Sequence, residues 1–319
     1  MGFAASYFIF VATNLRDLLM MVTNCHVQLE LWTLILIQVA IYVPLSWVRQ
    51  IKKFGTLALV ADVFILMGLV YIVYYSIDRL ITIGHAPGES EFRWFNPTDF
   101  PLFVGTSIFA FEGIGLMLPI ARSMKHPEKF PSILTLTMIL VAGCFVGIGA
   151  LCYYTFGRKV ETVVFLNMPA HNPIVEGLQF LYALAIMFSF PLCVYPPIRI
   201  TEQYLFATFP GGRHSPSIKW AKNGYRTFIV FLLAGISILG SSNLDKFVAL
   251  IGSFACIPLS FIYPALFHYK SGIGSVWTRS KDFLIVFLGL AAMLYTTWIT
   301  LWVWATEEPD VPVNRCVGQ

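Results

Sequence analysis

The chain has 319 residues, 57% hydrophobic and 12% charged, with a mean hydropathy of +0.74 and a formal net charge of +4. A soluble protein carries about 25% charged residues, so a soluble globular domain is excluded and an all-α polytopic membrane protein is expected. No basic run is interleaved with aromatics, which gives nucleic acid no footing. No nucleophile–base set, nucleotide motif, CxxC, HExxH or Cys/His cluster occurs either, so the sequence suggests neither an enzyme nor an ATP-driven pump, and no metal or cofactor site.

Apolar runs of about 17–25 residues read as membrane spans. Nine occur, at 3–22, 30–48, 54–76, 101–120, 132–156, 174–197, 226–241, 245–267 and 283–305. The alternate connections 49–53, 121–131, 198–226 and 268–282 hold fourteen of the 21 Lys and Arg. They share one side of the membrane, which the positive-inside rule makes cytosolic. The opposite connections and the tail 306–319 carry acids such as Asp78, Glu89, Glu161 and Glu307, and face a lumen or the exterior.

Near the outer end of the first span stand Asn14, Arg16 and Asp17, expected as an Arg16–Asp17 pair at the interface. Cys25 and Cys316 fall outside the spans, where a bridge between them is open; Cys144, Cys152, Cys193 and Cys256 lie within spans as small hydrophobes. Asp62 lies mid-span, either as a buried hydrogen-bonded acid or as a proton relay.

The fourth span organises the rest. Between Phe103 and Pro119 it carries Gly105, Gly113, Gly115 and the carboxylate of Glu112. Glycine and proline at that density invite unwinding, and unwound backbone at membrane depth survives only where it lines a cavity or binds something. A carboxylate there marks a functional site, or else a kinked span whose acid pairs with a neighbour. In the sixth span Pro191, Pro196 and Pro197 are expected to break the last turns, leaving Ser189 and Tyr195 either facing a cavity or beside an ordinary kink. Gly252, Pro258 and Pro264 repeat the theme in the eighth.

Interrupted spans in a polytopic protein point to a secondary transporter. A half-helix N-terminus offers N–H groups to an anion, while freed carbonyls and a nearby acid hold a cation. An α-amino acid carries both charges on one carbon, so a single unwound segment reads both ends.

The run Thr106-Ser-Ile-Phe-Ala-Phe-Glu-Gly-Ile-Gly-Leu-Met-Leu-Pro119 resembles the sixth helix of the amino acid/auxin permease family. It is closest in style to the fungal vacuolar and lysosomal proton-assisted amino-acid transporters. Residues 188–197 and 244–264 resemble the family's eighth and tenth helices. The resemblance implies a LeuT-like fold of eleven helices, two inverted five-helix repeats plus one. About nine are present here, as a single N-terminally truncated transporter domain over 1–319 with 306–319 as a lumenal or extracellular tail.

It implies a proton-coupled amino-acid transporter of a vacuolar or lysosomal membrane, with an L-amino acid and the lipid bilayer as partners and the proton as coupling ion. The alternatives are an amino-acid sensor without appreciable flux and a truncated, non-transporting fragment. Carried over by residue, the substrate site falls on Thr106, Phe109, Ala110, Phe111 and Gly113, with Tyr7 and Ser189 as further contacts and Glu112 for proton coupling. The family's lumenal disulfide has Cys25 as one candidate and no partner within 157–173.

Overall fold

The computed structural model describes residues 1–49, 55–82, 84, 95–115, 117, 121, 124–157, 160–169, 172–207, 216–272 and 275–306. Their regular structure is helical, and they contain no strand. In chain order the helices are α1 (Gly2–Val22), α2 (Leu31–Ser46), α3 (Gly55–Thr82), α4 (Phe100–Phe111), α5 (Phe130–Phe156), α6 (Pro173–Leu205), α7 (Pro216–Leu239), α8 (Leu244–Ser271) and α9 (Val276–Thr306). Each expected span falls on one of them. Among the described residues α1, α3, α5, α6, α8 and α9 are long and apolar enough to cross a bilayer, and α2 and α4 are shorter apolar helices.

The helices fall into two compact units. Among the described residues one lies within 1–84 and 155–244, and the other within 95–154 and 245–306. Within the first, α1 packs on α2, α6 and α7, α2 on α6 and α7, and α3 on α6. Its centre is aromatic. Tyr42 stacks on Phe190 (centroids 3.9 Å apart), and Phe8 meets both rings edge-on at 4.7 and 5.4 Å. Polar side chains tie the helices across this core: Gln38 Nε2 donates to the Phe8 carbonyl (3.2 Å) and Ser237 Oγ to that of Ala5 (2.9 Å). In the second unit α4 packs on α8 and α9, and α8 on α9.

Several expectations change here. Asp17 is buried, and its Oδ2 accepts from Gln179 Nε2 of α6 at 3.0 Å. Consecutive helical residues point about 100° apart, which turns Asp17 inward from Arg16. Asp62 is exposed and has no hydrogen bond among the described residues, so it is not a buried hydrogen-bonded acid. Helix α6 does not break: it runs 33 residues with all three prolines inside it. They deprive the carbonyls of Met187, Leu192 and Cys193 of helical donors, a loss that membrane helices tolerate when neighbouring groups compensate. At about 1.5 Å per residue α6 reaches roughly 50 Å, beyond the ~30 Å hydrocarbon layer. Much of the expected connection 198–226 is therefore helix. Ser189 Oγ donates to Ala185 O (3.0 Å) and Tyr195 Oη to Arg49 O (3.3 Å), so both hydroxyls are spent on backbone. Cys25 is disulfide-bonded, Cys144, Cys152, Cys193 and Cys256 are free, and Cys316 lies outside the described residues, as does the tail 307–319.

Candidate functional site

Helix α4 begins after Asp99, with Pro101 in its first turn where the missing N–H costs nothing. It ends after twelve residues. Glu112 is extended, with φ −70° and ψ 122°, and its N–H reaches back only to the Phe109 carbonyl (3.3 Å). Ile114, Gly115, Met117 and Ala121 are helical again. The fourth span is thus two helical pieces joined at Glu112 and Gly113.

The Glu112 carboxylate spans this joint. Its Oε1 accepts the Ile114 N–H at 3.2 Å, and its Oε2 accepts the Ser260 hydroxyl of α8 at 2.8 Å. The first bond satisfies a donor that the break would orphan, as an N-cap side chain does. The second ties the joint to the neighbouring helix. Around the joint Phe109 and Gly113 are half-buried, Thr106, Ala110 and Phe111 are exposed, and Phe111 meets Phe145 of α5 edge-on at 5.6 Å. A Cβ added at Gly113 or Gly115 would meet nothing within 4 Å, so the peptide groups there border open space.

Helix α8 is shaped to hold α4. A Cβ on Gly252 would lie 1.8 Å from the Gly105 carbonyl oxygen, and one on Gly105 would lie 2.4 Å from that of Ala249. The two backbones touch, as only glycine permits. At this crossing α8 widens to π-helical turns over Gly252–Cys256 and again over Pro258–Ile262. Such single-turn bulges are frequent at functional sites. The first presents Ser253, fully buried with an Oγ that has no hydrogen-bond partner among the described residues, and the second presents Ser260 to Glu112.

The structure therefore brings Glu112 and Gly113 together at the joint, with Thr106, Phe109, Ala110 and Phe111 on the preceding turns. Tyr7 on α1 and Ser189 on α6, both half-buried, belong to the other unit. Ser260 escaped the sequence reading; a serine between Pro258 and Pro264 on an interrupted span was its only sign.

A broken apolar helix with its carboxylate on the half-helix N-terminus is the arrangement expected of a transporter, and similarity to known proteins agrees. Residues 1–302 match the profile of the family described as transmembrane amino acid transporter protein. The chain belongs to this family. Vacuolar amino acid transporter 3 of Saccharomyces cerevisiae is 45% identical over 310 residues, covering 95% of this chain and 44% of the relative. Vacuolar amino acid transporter 3 of Schizosaccharomyces pombe is 42% identical over 299 residues (94% and 44%). Vacuolar amino acid transporter 4 of Saccharomyces cerevisiae is 38% identical over 323 residues (93% and 45%). The chain thus spans less than half the length of these relatives. The family is one of transporters, not of enzymes, and several helices of this chain are long and apolar enough to cross a membrane.

Proposed function

We propose that the protein serves proton-coupled, secondary active transport of an L-amino acid across a vacuolar membrane. The observation that carries this reading is the interruption of α4 at Glu112, whose carboxylate rests on the first N–H of the following piece. The names of the relatives support amino acid as cargo and vacuole as location.

A LeuT-like scaffold of inverted five-helix repeats is part of the proposal. Its support is that α1 packs on α6 and α2 on α7, each pair five helices apart in the chain. Helices in equivalent places of two five-helix repeats have that separation.

The joint supplies a coupling rule. While ionised, Glu112 occupies the Ile114 N–H, a donor that an incoming substrate carboxylate also needs. Two anions at one donor repel. Protonation converts Glu112 into a neutral group with a hydrogen to give, which frees the half-helix N-terminus while Ser260 retains the side chain. Proton and substrate anion then load together, and acid on the loading side favours loading. Thr106, Phe109, Ala110, Phe111 and Gly113 are assigned to the substrate around the joint; Tyr7 and Ser189 are assigned to it by family resemblance alone.

Proteoliposomes carrying the protein, given a labelled amino acid and an imposed pH gradient, test the proposal. Gradient-driven accumulation that collapses with a protonophore is expected. Equal uptake with and without the gradient would overturn proton coupling, and no uptake of any amino acid would overturn transport.

A further inference from the structure

At the end of α2 that the positive-inside rule assigns to the cytosol, one acid is fully consumed and several cations are not. Glu202 of α6 is buried and takes both arms of the buried Arg226 of α7, at 2.7 and 3.1 Å, while Arg226 Nη1 donates to the carbonyls of Ser46 (2.8 Å) and Val48 (3.3 Å). Arg49, Lys219 and Lys222 stand beside this pair, and among the described residues no acid pairs with any of them.

Their positions are fixed by the protein. Arg49 Nη2 donates to the Lys219 carbonyl (3.1 Å) and to Oδ1 of the buried Asn223 (3.0 Å), and its own carbonyl accepts from Tyr195 Oη, while Nε and Nη1 have no acceptor among the described residues. Lys219 and Lys222, three residues apart, share one face of α7. Lys222 Nζ sits 5.4 Å over the Phe206 ring. Two tryptophans frame the cluster. Trp47 Nε1 donates to Thr227 Oγ1 (3.0 Å), and its ring meets Trp220 edge-on at 6.1 Å, with Trp220 65% exposed.

We propose that this cluster is a binding site for the phosphate head group of an anionic phospholipid in the cytosolic leaflet. A guanidinium fork matches phosphate geometry and lysines add charge. Exposed tryptophan is the residue of the bilayer interface, which sets the phosphate plane at the level of the cations and makes a lipid, rather than a free anion, the occupant. The site is independent of the transport reading.

The test uses the purified protein in nanodiscs of phosphatidylcholine with and without phosphatidylinositol 4-phosphate, with retained lipid counted by native mass spectrometry. Preferential retention of the inositol lipid is expected, weakening roughly fivefold for each cation removed in K219Q/K222Q and R49Q/K219Q/K222Q. The exposed pair K270Q/K281Q in the other unit should leave it unchanged. Because Arg49 also holds α7, the double variant decides the matter should the triple variant fail to fold. Retention by K219Q/K222Q equal to the unmodified protein, or an equal loss in K270Q/K281Q, would overturn the proposal. So would displacement of the lipid by equimolar inositol 1,4-bisphosphate, which would mark a site for free anions.

Discussion

Glu112 does two jobs with one carboxylate, and they can be separated. Oε1 caps the Ile114 N–H and Oε2 takes the Ser260 hydroxyl, so the side chain holds the joint whether or not it exchanges a proton. Glu112→Gln keeps an acceptor and the shape but cannot titrate. Flux through this variant should lose its dependence on pH, while stability in detergent falls by no more than about 1 kcal/mol, the net value of one hydrogen bond. An unchanged flux–pH profile would count against the coupling role. Ser260→Ala removes only the tether; with Glu112 half-buried, a loss of about 1 kcal/mol is expected in thermal unfolding. The acid and its glycines were legible because side chains that break or charge a span announce themselves locally. Ser260 was not, because its partner is 148 residues away in sequence and only the packing of α8 on α4 joins them.

At the scale of helices, α4 and α8 hold one another through glycine. Gly252→Ala places a Cβ 1.8 Å from a carbonyl oxygen, and backbone cannot yield as a side-chain tip does. The helices must separate, at about 1–3 kcal/mol for overpacking, read as a lowered unfolding temperature. Gly113→Ala makes the opposite forecast. Its Cβ meets nothing within 4 Å, so stability should stay within about 0.5 kcal/mol. Lost flux in that variant would then report on substrate approach rather than on folding. The glycines and prolines of the sequence thus mark three different structures: an open joint at Gly113, a tight crossing at Gly252, and an unbroken helix through Pro191, Pro196 and Pro197. Residue type alone does not separate these cases. What separates them is the neighbour, which is open space at Gly113 and the Gly105 backbone at Gly252.

For the molecule as a whole, each apolar run of the sequence falls on a helix among the described residues, yet hydropathy and charge misassigned Arg226. It reads as one more cation of a cytosolic connection, but α7 begins ten residues earlier and carries it into the interior, where it is 2% exposed. The buried Glu202, reaching in from α6, makes that tolerable, and the guanidinium also takes the carbonyl of Ser46, the last residue of α2, and that of Val48 just beyond it. Three helices of one unit therefore meet on a single charge pair. A buried pair contributes less than its Coulomb attraction suggests, because both ions were desolvated, but breaking it strands a charge. Glu202→Ala should cost about 3–5 kcal/mol. Replacing both partners by apolar residues, Glu202→Leu with Arg226→Met, should cost far less. It should not be free, since Ser46 and Val48 lose the donor that satisfied their carbonyls, at about 1 kcal/mol net. Thermal unfolding of the three proteins in one detergent decides this: if the double variant is as unstable as Glu202→Ala, the stranded charge is not the cause, and the pair holds the three helices by attraction instead.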